Sequence, residues 1–136
     1  MITIETIIKA PIEKVWTFWN ETNHITNWYF ASDDWHSPIA ENDLQVGGKF
    51  LYRMEAKDGS FGFNFNGVYD TIIINELIEY KIEGGRNVKI VFTSNTDTTI
   101  VTESFEPENE NSLELQKGGW QAILNNFKKY VEQEAA

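Results

Sequence analysis

The chain has 136 residues and a formal net charge of −10, from 11 Lys plus Arg against 21 Asp plus Glu, and 14% of its residues are aromatic. One domain over residues 1–136 is expected, able to bury roughly two-thirds of its unfolded surface; the acidity argues against nucleic acid and anionic membranes, which need basic faces, and leaves neutral, apolar or cationic partners open. There is no cysteine, which excludes disulfides, thiol catalysis and thiolate metal sites.

Residues 2–9 read as a β-branched strand with Ile2, Ile4 and Ile8 on one face. This N-terminus matches no signal or lipidation motif, and no apolar run approaches membrane-spanning length. A cytoplasmic protein without membrane insertion is therefore expected. Ala10-Pro11 breaks the pattern, and proline suits the first turn of a helix. Over residues 11–19, Ile12, Val15, Trp16 and Trp19 recur at helical spacing. A second short helix is expected over residues 22–28, capped by Thr22 and burying Ile25 and Trp28. Residues 29–43 carry loop signals, Asp33-Asp34 and Ser37-Pro38, yet also Tyr29, Phe30, Trp35 and Ile39. A loop with that aromatic content should pack over something.

Strands follow, separated by turns. Gly47-Gly48 reads as a bend or bulge entering the first of them. Residues 49–54 put Phe50, Tyr52 and Met54 on one face, and Asp58-Gly59 is a hairpin signal. In the next strand Phe61, Phe63, Phe65, Gly67 and Tyr69 share the inward parity. Arg53 and Asp70 fall outward and suggest a cross-strand charge pair. Residues 77–82, the stretch around Val88, Ile90 and Phe92, and residues 99–105 complete a meander, with Gly84-Gly85 and Asp97 at turns. After a polar break at residues 107–110, a helical pattern opens at Asn111-Ser112-Leu113-Glu114 and runs to the chain end. Its stripe is Trp120, Ile123, Leu124, Phe127 and Val131. A stripe so broad must be buried, and the concave face of the sheet is the surface available. The class is α+β: a curved antiparallel sheet wrapped around a long C-terminal helix, with two short helices after the first strand.

This arrangement resembles the helix-grip fold of the START-like, or Bet v 1-like, superfamily, also called SRPBCC. Ala10-Pro11-Ile12-Glu13-Lys14-Val15-Trp16 resembles its strand-to-helix junction. Leu44-Gln45-Val46-Gly47-Gly48-Lys49-Phe50 resembles the glycine pair opening its central strands, and residues 119–127 are similar to the start of its closing helix. Together they point to the AHSA1-like branch, named for the activator of Hsp90 ATPase. The resemblance implies a cavity between sheet and closing helix that in relatives accepts lipids, aromatic products or other apolar molecules. It implies no catalytic set, because the scaffold serves binding, cyclisation, hydroxylation and partner activation alike.

The candidate cavity wall is Trp28, Phe50, Tyr52, Phe63, Phe65, Tyr69, Trp120, Leu124 and Phe127; a filled core is the competing reading. Tyr52 and Tyr69 either orient a ligand's polar group or find core partners. Gly118-Gly119 should cost the helix about 2 kcal/mol against two alanines, explained by close packing on a strand or by room at a pocket mouth. His24 and His36, with Glu21, Asp33 and Asp34, fit no metal-ligand spacing. No metal or cofactor is expected, and His36 would serve as acid or base only if its loop covered the cavity. Glu103, Glu106, Glu108, Glu110 and Glu114 read as a solvated edge, with docking of a basic partner as the alternative. No nucleophile lies beside a base and no G-x-S-x-G motif is present, so the reading leans away from an enzyme.

Three functions are carried forward. The leading one is a non-enzymatic binder of a hydrophobic or aromatic small molecule. The second is a chaperone-interaction module of the Hsp90-activator kind; eukaryotic activators carry a further domain ahead of this one, whereas this chain begins at the first strand. The third is a cyclase- or hydrolase-type enzyme on the same scaffold.

Overall fold

The computed structural model describes residues 1–134, so the end of the last helical pattern, Ala135 and Ala136, lies outside the described residues. The fold is α+β, with an eight-stranded antiparallel sheet curled around a long C-terminal helix. Strand β1, Ile2–Ile8, pairs with the last strand, β8, Thr98–Phe105, in the register Ile2↔Phe105 to Ile8↔Thr99. That long-range pairing brings both chain ends of the sheet to one edge. From there the order continues through β7 (Arg86–Asn95), β6 (Leu77–Ile82), β5 (Gly62–Ile73) and β4 (Lys49–Ala56).

Residues 29–43 carry loop signals in the sequence, but they contain two short strands, β2 (Trp35–His36) and β3 (Ala40–Asn42), both paired with β4. They have too few residues to show a period. What orders them is the open edge of β4, whose backbone groups need partners.

Helix α1, Ile12–Asn20, starts where the sequence places it, with Pro11 extended at the cap (φ −69°, ψ 156°) and buried faces at Ile12, Val15, Trp16 and Trp19. Helix α2 is shorter than expected, Thr22–Ile25, and Thr22 lies inside it rather than capping it; Glu21 takes the cap position without a side-chain bond. Beyond Ile25 the chain tightens into turns, with Trp28 N–H on the Ile25 carbonyl and Phe30 N–H on that of Trp28. The tightening swings the Trp28 ring inward, where its Nε1 donates to the Phe18 carbonyl at 3.0 Å.

The turn into β4 explains Gly48. A Cβ there would lie 2.1 Å from the Asp43 carbonyl oxygen, so only glycine fits. The expected Arg53–Asp70 pair does not form. The register sets Asn64 opposite Arg53, whose Nε donates to Glu55 at 2.8 Å. Asp70 sits at a bulge between Tyr69 and Thr71 and pairs with Lys81 at 2.8 Å.

Helix α3 runs Leu113–Glu134. The Ser112 hydroxyl accepts from the Leu115 N–H at 3.1 Å, a capping bond. Buried Gln116 ties the preceding turn down: its amide donates to the carbonyls of Glu108 and Asn111 and accepts from the Glu108 N–H. Leu124, Phe127 and Val131 point into the core, and Phe127 packs edge-on to Trp19 and Trp28 with centroids 4.8 and 4.5 Å apart. A Cβ added at Gly118 would meet no atom within 4 Å. Close packing on a strand is therefore not the reason for that glycine.

Two substitutions should move stability in opposite directions. Gly118→Ala should raise the unfolding free energy by about 1 kcal/mol through helix propensity alone. Phe127→Ala should lower it by about 3–5 kcal/mol, because fully buried aromatic volume is removed. Urea unfolding of both variants reads the two signs, and a fall for Gly118→Ala would contradict the open space seen there.

Candidate functional site

Between α3 and the concave face lies a cavity of about 320 Å³. Helix α3 lines it with Gly119, Trp120, Ile123 and Leu124, and α1 supplies Trp19. The aromatic stretch after α2 crosses it with Trp28, Tyr29, Phe30, Ala31, Ser32 and Trp35, while the sheet contributes Met54, Phe63, Phe65 and Glu103. The rings brace one another. Trp120 stacks on Phe105 at 3.8 Å with planes 9° apart, and meets Phe65 edge-on at 5.8 Å. The Asn126 amide donates to the Trp28 carbonyl at 2.8 Å, tying the crossing stretch to the helix.

Of the candidate wall residues, Trp28, Phe63, Phe65, Trp120 and Leu124 line the cavity. Tyr52, Tyr69 and Phe127 share the inward face but lie in the buried core away from the cavity, and Phe50, also buried, borders a separate hollow with Gly67 and Ile82. Phe50 sits among Tyr52, Tyr69 and Tyr80 at centroid distances of 4.9, 5.3 and 4.7 Å. The Tyr69 hydroxyl donates to Asn42 Oδ1 at 2.6 Å, and the Asn42 amide donates on to the Asn20 carbonyl. Tyr69 thus spends its hydroxyl on a core partner, and burial pushes its pKa up to about 12. Parity selects the right face; it carries no information about depth along a strand, which separates filled end from open end. Phe63 is 41% exposed yet lines the cavity, which puts it at the mouth, whereas Phe61, just ahead of β5, is 62% exposed and off the lining. Gly119 lies at that mouth, where a Cβ would meet no atom within 4 Å, so the missing side chain leaves entry space.

The residue that sequence reasoning misplaces is Glu103. Composition puts it on a solvated acidic edge, but it is 4% exposed and faces the cavity. Burial pushes its carboxyl up to about 8, and no hydrogen bond or opposite charge among the described residues offsets the shift. The Tyr29 and Tyr80 hydroxyls lie close enough that Glu103 helps raise both well above the usual phenol range, behind the larger effect of their own burial. The signal is present in β8: Thr99, Val101, Glu103 and Phe105 alternate with Ile100, Thr102 and Ser104, and the first set is buried. The other acids behave as edge residues. Glu106 accepts from the Asn87 backbone and amide, and Glu108 from Glu110 and Asn111, which holds both carboxyls below the usual range.

The histidines stand apart from the cavity lining. His36 faces Glu55 at 3.7 Å, and His24 stacks on Phe18 at 4.0 Å with its Nδ1 2.7 Å from the Tyr130 hydroxyl. Among the described residues no group of three or more His, Asp or Glu is arranged to hold a metal ion, and no helix is long and apolar enough to cross a membrane.

A curled antiparallel sheet gripping one long helix over an aromatic-walled cavity defines a helix-grip container. The model of the activator of Hsp90 ATPase homolog 1-like protein family matches residues 9–132, and the chain belongs to that family. It is similar to an AHSA1-like protein of Aeromonas hydrophila, with 39% identity, a TM-score of 0.90, and 98% and 94% of the two chains covered. It is also similar to a protein of Cytophaga hutchinsonii, with 56% identity, a TM-score of 0.83, and 98% and 93% covered. A protein of unknown function from Staphylococcus aureus, 18% identical with a TM-score of 0.72 over 98% and 94% of the chains, shares the fold. No curated protein matches.

The buried carboxyl makes stability depend on pH with a definite sign. With a folded pKa of about 8 against an ordinary 4.5, the folded chain keeps a proton that the unfolded chain has lost over the interval between them. Wild-type stability, compared with that of Glu103→Gln, should therefore fall by about 1.4 kcal/mol per pH unit as pH rises across that interval. Urea unfolding at several pH values measures the difference, and a flat difference would refute the burial of the ionisable group.

Proposed function

We propose that the protein binds a small hydrophobic or aromatic molecule in the cavity between α3 and the sheet. The observation that supports this most directly is the cavity's volume, about 320 Å³ with almost wholly apolar walls. Packed interiors leave few voids larger than a water molecule, whereas sites for small ligands begin at about 300 Å³. An apolar occupant restores the dispersion contacts that an open void denies to its lining, and Trp120, Trp28 and Phe65 offer ring faces and edges for it. The family is described by likeness to an activator of the Hsp90 ATPase. A chaperone-docking surface requires no aromatic-walled recess of this kind, which ranks ligand binding ahead of that role.

Titration with lipids, flavonoids and polycyclic aromatics, followed by amide NMR, tests the reading. A bound compound should shift Gly119, Trp120, Phe63 and their neighbours; a panel that leaves them all unmoved would sink it. Gly119→Leu places a branched side chain at the mouth. It should weaken binding by about tenfold, ~1.4 kcal/mol, without lowering the unfolding midpoint, since leucine is the better helix former by several tenths of a kcal/mol.

A further inference from the structure

Glu103 is the one charged side chain on the described cavity lining, and no lysine, arginine or histidine shares that lining with it. Strand β8 holds it between Ile4 of β1 and Ile90 of β7, so neither neighbouring strand sets a cation beside it in register. From the other elements it faces Tyr29, which follows α2, and Tyr80 of β6, both neutral phenols, while α3 presents Trp120 and Leu124. A carboxyl buried in apolar surroundings with no partner is costly, and such groups are normally paired. Here the partner position opens onto the cavity.

We propose, building on the ligand-binding reading above, that the cavity selects apolar molecules carrying one cationic nitrogen, of the arylalkylamine class, with Glu103 as counter-ion. Two further features point the same way. Trp19, Trp28 and Trp120 line the same space, and indole rings attract a nearby cation beyond their apolar area. The chain's net charge of −10 raises the local concentration of cations at its surface. The proton balance is simple. An alkylamine enters already protonated, since its pKa lies near the ~10 of a lysine side chain. Below pH 8 the Glu103 carboxylic acid loses its proton to solvent as the ammonium arrives. The bound state is a carboxylate–ammonium pair, and no covalent bond forms.

The experiment is calorimetric titration of the full chain with 2-phenylethylamine, 2-phenylethanol and 3-phenylpropanoate. The three share an apolar body and differ in the charge of the head. Above the pKa of Glu103 the amine should bind at least about tenfold tighter than the alcohol, the equivalent of ~1.4 kcal/mol. Below it, amine affinity should fall about tenfold per pH unit, with one proton released per amine bound. The release is read as a difference in heat between phosphate and Tris buffers. The alcohol should show neither effect, and the propanoate should bind least well. Glu103→Gln should bring the amine-to-alcohol ratio close to one and abolish the pH dependence. Alcohol binding with no preference for the amine would overturn the charge assignment and leave the cavity reading intact. Failure of all three to bind would overturn both. An amine preference that survives in Glu103→Gln would place the cation elsewhere and overturn the role of Glu103.

Discussion

A curled sheet offers more concave surface than one helix can cover, and everything else in this molecule follows from how the excess is handled. The pairing of β1 with β8 closes the curl on one side, and β2 and β3 extend it beyond β4 on the other. Among the described residues of α3, the apolar side chains brought fully into the trough are Leu124, Phe127 and Val131. At one end the remaining space is taken up by side chains from the sheet itself, the cluster of Phe50, Tyr52, Tyr69 and Tyr80. At the other end the same sheet face opens, and the stretch after α2 bridges it without filling it. Packed core and cavity are two outcomes of one geometric surplus.

That geometry also explains why Glu103 can be where it is. A carboxyl is tolerated deep in a protein when it stays neutral, and burial pushes that of Glu103 toward the protonated form. The adjoining phenols of Tyr29 and Tyr80 are neutral at ordinary pH in any case, and burial pushes them further from ionising. The result is a polar spot without net charge in an otherwise apolar space. It changes character once a cation or a rise in pH removes the proton, and an all-apolar lining has no such response.

Much of the fold is legible in the sequence because burial imposes a period. The α1 stripe of Ile12, Val15, Trp16 and Trp19 and the α3 stripe of Leu124, Phe127 and Val131 each face one core, and alternation in β4 and β5 marks the inward face. What is not legible depends on partners rather than on period. Strands of two and three residues, β2 and β3, exist because β4 presents an open edge. The depth that separates Phe65 at the cavity from Tyr69 in the core is set by where the helix and the aromatic stretch cross the strands. Glu103 is hidden differently. Its position between Val101 and Phe105 on the buried face of β8 is readable, but the acids that follow it make charge composition speak louder than parity.

Two departures from local preference meet at the open end of the trough. Gly119 gives up about 1 kcal/mol of helix propensity relative to alanine, and no steric contact demands it. Glu103 keeps a carboxyl with no hydrogen bond among the described residues on an apolar lining, where an apolar side chain would stabilise the fold. Neither helps the core pack, and both border the same cavity. Where a chain breaks its own local rules without a packing return, the compensation is expected at a functional site. The coincidence of a side chain withheld at the mouth and a polar group retained inside therefore argues for an occupant more strongly than the volume alone. A void left by imperfect packing would have no reason to carry either.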